Sequence, residues 1–305
     1  MALRAGIDIG TNTILLLVAE VENGKITRVY EDNVRVVRLG QGVDQNRAFH
    51  PDALERARAC FQDYSDRLKK YPGIEVRAVA TSGSRDAKNS PEFFEEVRAK
   101  YGIPVRVISG EEEALLSFKG ALPDGIKDPH SIAVLDIGGG STEAVGLRPN
   151  SDSELFRYSF DMGCVRLSER YLKSNPPLAS QIQELVTFVK VDLAKKPEIL
   201  DALKGRTLVA VAGTATYLAS ASLGLTRFDP EKVHGHILTR AAIQELIAKF
   251  AKLTSEQRLG LGGMDKGRAD VILAGALILD EVLARAGLSS VQVSVRGLRY
   301  GAVLV

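Results

Sequence analysis

Apolar runs of strand length alternate along this chain with stretches in which apolar residues recur every three or four positions. Ala5–Ile9 and Ile14–Val21 are continuous apolar runs, Asn23-Gly24 is a tight-hairpin signal, and Ile26–Tyr30 follows. The opening therefore predicts a three-stranded meander. His50-Pro51-Asp52 then starts a helix to about Lys70, with Leu54, Ala57, Phe61, Tyr64 and Leu68 on one face. A strand at Val76–Ala80, a helix at Pro91–Tyr101 and a strand at Val105–Ile108 lead into a helix starting at Ser109. The second half repeats the alternation. It predicts strands at Ser131–Asp136, Thr207–Val211 and Val291–Val295, and helices at Gln181–Ala194, Gly213–Ser222, Thr239–Phe250 and Lys266–Ala286. The turn-rich segment Leu122–Pro129 is the best boundary candidate. The fold class that follows is α/β, with two domains built on mixed sheets.

One element recurs. Asp8-Ile9-Gly10 and Asp136-Ile137-Gly138 each end a strand and are followed by small hydroxylated residues: Thr11-Asn12-Thr13 in the first copy, Gly139-Gly140-Ser141-Thr142 in the second. Consecutive glycines leave backbone N–H groups unobstructed, so they can converge on phosphate oxygens. A carboxylate beside phosphate is repulsive unless a cation intervenes, so Asp136 points to Mg²⁺ or a similar hard ion. The Gly138–Thr142 loop alone reads equally well as a glycine hairpin with a capping aspartate. A second copy, and a third glycine turn at Ala212-Gly213-Thr214-Ala215-Thr216 between a strand and a helix, make phosphate the favoured ligand. The repeat suggests two similar halves facing each other.

Composition narrows the partners. The chain has 305 residues, consistent with two domains of about 150 residues each. A formal charge of +2 excludes a wholesale polybasic nucleic-acid binder. Cys60 and Cys164 are the only cysteines, too few for a disulfide framework or a thiolate metal site. Cys60 reads as core, and Cys164 lacks the basic partner that a nucleophile needs. His234-Gly235-His236 has no third ligand nearby, so His234 reads as a structural hydrogen-bonding residue. No apolar stretch approaches a membrane span, and Met1–Ala5 leaves no room for a signal peptide before the first strand. A soluble, reduced, cytoplasmic protein is the expectation.

Seven segments, in order along the chain, carry a family resemblance. They are Gly6-Ile7-Asp8-Ile9-Gly10-Thr11-Asn12-Thr13, Ala80-Thr81-Ser82-Gly83-Ser84-Arg85-Asp86-Ala87, Ile108-Ser109-Gly110-Glu111-Glu112-Glu113-Ala114 and Asp136-Ile137-Gly138-Gly139-Gly140-Ser141-Thr142-Glu143. Gly213-Thr214-Ala215-Thr216, Val233-His234-Gly235 and Arg268-Ala269-Asp270-Val271-Ile272-Leu273-Ala274-Gly275 complete them. The chain resembles the exopolyphosphatase / guanosine pentaphosphate phosphohydrolase family, within the actin, hexokinase and heat-shock-ATPase superfamily. The resemblance implies two actin-like (ribonuclease H-like) domains, each a mixed sheet flanked by helices, with the active site in the cleft between them. The implied bounds are 1–122, with 296–305 as a candidate addition, and 123–295.

The resemblance also implies chemistry: hydrolysis of a terminal phosphoryl group from inorganic polyphosphate or, alternatively, guanosine pentaphosphate. Carried over by position, the general base falls on Glu113. Asp136 and Glu143 become essential acids that hold the cation or position water, and Asp8 a second cation contact. Metal ligands are thus Asp8, Asp136 and Glu143, for Mg²⁺ or Mn²⁺. Phosphate contacts fall on Gly10, Thr11, Asn12, Thr13, Arg85, Gly138, Gly139, Gly140, Ser141, Thr142, Gly213 and Thr214. For Glu111 and Glu112 the capping box with Ser109 and the helix dipole suffice as reasons. Lys88, Arg38, Lys266, Arg268 and Arg296 are candidates for a basic track under a polyphosphate chain. The expected assembly is a homodimer, with neither nucleic acid nor membrane as partner.

Three departures modify these expectations. Val295 and Tyr300 stand where the family's closing segment is acidic, and Ala212 where it often has glycine or serine. The sequence ends at Val305, whereas longer members carry helical C-terminal domains that extend the polyphosphate channel, so short chains are the expected substrates. Two other classes compete: an ATP-dependent kinase, which would release ADP only with an acceptor present, and a non-catalytic sensor, which would bind without turnover.

Overall fold

The computed structural model describes residues 2–122, 128–149, 151, 154–264 and 266–305. Residues 123–127, inside the expected boundary segment, lie outside the described residues. The chain divides into two compact units, Met1–Gly120 with Gly297–Val305, and Ala121–Arg296.

In the first unit, β1 (Ala2–Ile9), β2 (Thr13–Glu22) and β3 (Lys25–Val36) form the meander. β4 (Glu75–Ala80) and β5 (Val105–Val107) continue the sheet in the order β3-β2-β1-β4-β5. β1 pairs antiparallel with β2 and parallel with β4, so the strand ending in Asp8-Ile9 is central. Helices α1 (Pro51–Leu68) and α2 (Ser90–Tyr101) lie on the crossovers to β4 and β5, and α3 (Gly110–Ala121) follows β5. The apolar stripe of α1 works as its spacing predicts. Ala57, Phe61 and Tyr64 are fully buried against Ile7, Ile9, Ile14 and Leu16, and the Tyr64 hydroxyl donates to the Ile14 carbonyl at 2.8 Å. The His50 side chain caps α1 by accepting from Asp52 N. The C-terminal helix Leu298–Leu304 packs on this unit: Leu298 joins Val79, Ile108 and Leu116, and Arg299 pairs with Asp32 of β3 at 2.8 and 2.9 Å.

In the second unit, β6 (Ile132–Ile137), β7 (Thr142–Leu147), β8 (Leu155–Phe160), β9 (Thr207–Val211), β10 (Ile237–Thr239) and β11 (Ser290–Val293) form a sheet ordered β10-β11-β9-β6-β7-β8. Its longer helices are α4 (Cys164–Tyr171), α5 (Ala179–Leu193), α6 (Ala212–Ser222), α7 (Arg240–Phe250) and α8 (Ile272–Ala286). β6 and β7 are buried along their whole length, as a sheet covered on both faces requires. α8 is buried over most of its length, with Leu273, Ala276, Ile278 and Leu279 inaccessible to solvent. It is nonetheless only 15 residues long, and among the described residues no helix is long and apolar enough to cross a membrane.

The two sheets share one plan. Strands β8-β7-β6-β9-β11 repeat β3-β2-β1-β4-β5: a central strand, an antiparallel meander on one side, and parallel crossover strands on the other. This is the actin-like arrangement, mixed sheets flanked by helices.

Several elements differ from the pattern-based expectation. β3 runs on to Val36, because pairing with β2 as far as Thr13↔Val36 holds a polar, largely exposed edge that has no apolar signature. The helix expected over Lys266–Ala286 is interrupted at Asp270-Val271 and resumes at Ile272, with Val271 at φ −114°. The segment after β4, to which the pattern assigns no element, forms a short helical stretch, Ser82–Asp86.

Candidate active site

In the first unit, Asp8 lies at the end of β1, and the chain reverses immediately after it. Gly10 N donates to the Thr13 carbonyl at 2.9 Å, closing the turn. Thr11, Asn12 and Thr13 are all buried. The Thr11 carbonyl accepts from Gly40 N, the Asn12 carbonyl accepts from Val37 N and Arg38 N, and the Thr11 hydroxyl accepts from Gly83 N at 3.2 Å. The turn is thus anchored from behind by two neighbouring segments.

The second unit repeats this geometry. Gly138 N donates to the Ser141 carbonyl at 3.0 Å, the same turn one repeat later. Here the carbonyls decide the chemistry. Gly138 O accepts from Cys164 N, Gly139 O from Val165 N and Arg166 N, and Gly140 O from Arg166 Nε at 2.7 Å. All three carbonyls are therefore turned onto the N-terminus of α4. In a trans peptide the N–H points opposite to the C=O. The amides of Gly139, Gly140 and Ser141 consequently face away from α4 as a row of donors, the arrangement an anion needs. α4 and Gly163 were not among the sequence-predicted elements; the only signal was the short apolar spacing of Cys164, Val165 and Leu167.

The hairpin registers match as well. Asp8 lies opposite Leu15, and Asp136 lies opposite Glu143. Residues directly opposed across a strand pair share a face with Cβ atoms roughly 5 Å apart. Only the second copy therefore carries a pair of carboxylates. Asp136 is 8% exposed and Glu143 1% exposed, so their repulsion is poorly screened by water. Ser159, opposite Glu143 on β8, donates its hydroxyl to Glu143 Oε1 at 2.6 Å. Two hard oxygen ligands facing one another suit a divalent cation that takes its remaining ligands from water and phosphate. Among the described residues, no group of three His, Cys, Asp or Glu side chains forms a ready-made metal site.

The third glycine turn is shaped by an arginine. The Arg268 guanidinium lies so close to Gly213 that a Cβ there would sit 2.2 Å from its Cζ. The same guanidinium is 5.6 Å from the Tyr217 ring and is buried. The Thr214 hydroxyl is directed at the Ile137 carbonyl, 3.4 Å away, linking this turn to the end of β6. Ala212 has φ 63°, a left-handed conformation that an alanine adopts at a cost of about 1–2 kcal/mol.

Glu113 sits in the first turn of α3, with Ser109 accepting from Glu112 N and Glu113 N through its hydroxyl and carbonyl oxygens. The three consecutive glutamates fare differently. Glu111 is exposed, Glu112 is held by two bonds from Arg106, and Glu113 is buried with Oε2 accepting from Arg85 Nη1 at 2.7 Å. Of the other basic candidates, Lys88 and Lys266 are exposed, and Arg38 and Arg296 half-buried. His234 is exposed, its backbone N–H bonded to the Pro230 carbonyl. Burial pushes the Cys60 thiol up to about 12 and also raises that of Cys164, so neither is a thiolate nucleophile.

A profile of the Ppx/GppA phosphatase family matches residues 17–305. The chain belongs to the Ppx/GppA phosphatase family. It is 36% identical over 313 aligned residues to exopolyphosphatase 2 of Mycobacterium tuberculosis, covering 98% of this chain and 97% of that protein. A crystal structure of an exopolyphosphatase-like protein superposes with a TM-score of 0.92 at 35% identity, covering 99% and 97% of the two chains. An exopolyphosphatase from Cytophaga hutchinsonii gives 0.87 at 25% identity, covering 98% and 96%. As a Ppx/GppA phosphatase, the chain is a hydrolase of phosphoanhydride bonds.

Proposed function

We propose that this Ppx/GppA phosphatase is an exopolyphosphatase that removes the terminal phosphoryl group of inorganic polyphosphate, acting best on short chains. The observation that carries this reading is the row of outward amides at Gly139, Gly140 and Ser141 beside the Asp136–Glu143 carboxylate pair. A polyanion and a divalent cation are the ligands that such a juxtaposition accommodates together. The relatives named for exopolyphosphatase activity supply the substrate class.

In this reading the turns at Gly10–Thr13, Gly138–Thr142 and Gly213-Thr214 bind phosphate oxygens. Asp136 and Glu143 hold Mg²⁺ or Mn²⁺, whose charge offsets that of the phosphates, and Asp8 provides a second cation contact. Glu113 orients a water and takes its proton, a contribution of about 10²–10⁴-fold. Phosphoryl transfer passes through a loose, charge-spread transition state, so fixed amides account for most of the remaining acceleration. A homodimer is the proposed assembly.

Phosphate release measured side by side on short polyphosphate, long polyphosphate, guanosine pentaphosphate and ATP tests the reading. Fastest release from short polyphosphate is expected. Release confined to guanosine pentaphosphate would replace the substrate, and binding without release from any of them would make the protein a sensor.

A further inference from the structure

Arg85 follows β4 on the short helical stretch Ser82–Asp86, and its Nη1 serves two acceptors. It donates to the Ile108 carbonyl at 3.0 Å and to Glu113 Oε2 at 2.7 Å. The first bond anchors the guanidinium to the backbone just before α3. The second ties the same nitrogen to the carboxylate three residues into that helix. The pair is well shielded: the Glu113 side chain is 8% exposed and that of Arg85 26%. Its neighbour Glu112 is engaged by Arg106, so the acidic first turn does not compete for Arg85.

The consequences are chemical. A charge-assisted bond to one carboxylate oxygen fixes the rotation of the group. Because Ile108 holds the guanidinium independently of the carboxylate, the clamp is built into the unit rather than assembled by a ligand.

We infer that Arg85 is a positioning residue for Glu113, acting on the reaction through the base rather than by gripping the phosphate chain. The inference rests on the reading of Glu113 as the base. Displacing a catalytic group by about 1 Å costs on the order of 10²-fold in rate. Arg85→Gln is therefore expected to lower kcat by about 10–100-fold while KM for short polyphosphate stays within about threefold. Arg85→Lys, which keeps the charge, should recover part of that loss.

The decisive measurement is a double-mutant cycle with Glu113→Gln. In the Glu113→Gln background, Arg85→Gln should change neither the residual kcat nor the calorimetric Kd for short polyphosphate by more than about threefold. Thermal melts of each variant show that it is folded, and Arg85→Lys carries the test should Arg85→Gln be unstable. A rise of about tenfold or more in KM or Kd on replacing Arg85, or a kcat unmoved in the parent background, overturns the inference and makes Arg85 a substrate ligand or a bystander. If Glu113→Gln alone keeps the parental kcat, it is the assignment of the base that fails, a result read from a different variant.

Discussion

Gly163 provides the sharpest test of the second-unit turn, because space rather than conformation requires glycine there. Its backbone lies at φ −132° and ψ 163°, extended values open to any residue. A Cβ at this position, however, would stand 2.4 Å from the carbonyl carbon and oxygen of Gly139 and 2.5 Å from Gly140 N. Ordinary contact begins near 3.4 Å, so Gly163→Ala must push the glycine loop off α4 by about 1 Å. Overpacking of this kind costs about 1–3 kcal/mol. For a unit of this size each kcal/mol lowers Tm by about 2–4 °C, giving a drop of about 2–12 °C. The kinetic effect should be larger, because the displaced atoms carry the donor row, and a 1 Å misplacement costs on the order of 10²-fold in kcat. The assay pairs a thermal melt with phosphate release from short polyphosphate. Gly205→Ala is the control: at φ 71° with no atom within 4 Å of the added Cβ, it pays only the left-handed backbone penalty and should leave kcat unchanged. If Gly163→Ala loses Tm but keeps kcat within about twofold, the loop amides are not the groups that bind the reacting phosphate.

Three further outcomes follow from specific contacts. Ser159→Ala removes the hydroxyl donated to Glu143 Oε1 and should raise the Mg²⁺ concentration for half-maximal phosphate release by about 10–100-fold; an unchanged requirement would separate Glu143 from the cation. Ala212→Gly relieves a left-handed alanine and should shift the urea midpoint upward by the equivalent of about 0.5–1 kcal/mol, whereas a downward shift would contradict the strain. Arg58 and then Lys100 hold the Glu96 carboxyl at about 2, below its ordinary 4.5. Its contribution to stability is therefore complete above about pH 5 and is lost as pH falls toward 2. Parent and Glu96→Gln should accordingly differ most in Tm near neutrality and converge below pH 3, and a gap that persists into acid would show that the pairing is not its cause.

Much of the fold was legible in the hydropathy pattern because long elements repeat their period many times. The stripe Ala57, Phe61, Tyr64 of α1 and the wholly buried β6, apolar from Ile132 to Leu135, follow this rule, and the caps His50 and Thr239 set their helix starts. Short elements escaped. α4 offers only two turns of signal, and the C-terminal helix carries arginine and tyrosine whose role, pairing with Asp32, depends on a strand more than 250 positions earlier. The break before α8 was invisible because Asp270-Val271 contains neither the proline nor the glycine that signals a helix end.

The site divides in the same way. The chain alone determined that a carboxylate-glycine-hydroxyl turn occurs twice, since side-chain type and spacing are local properties. That Asp136 faces Glu143 while Asp8 faces Leu15 is a matter of strand register, which only pairing fixes. Equally, three glutamates in a row carry the same charge in sequence; burial and the guanidinium of Arg85 single out Glu113, and Arg106 takes Glu112 away. The direction of the Gly138–Gly140 carbonyls belongs to neither residue type nor spacing. It is decided by the helix packed behind them, because a peptide plane takes its orientation from the partners of its oxygen.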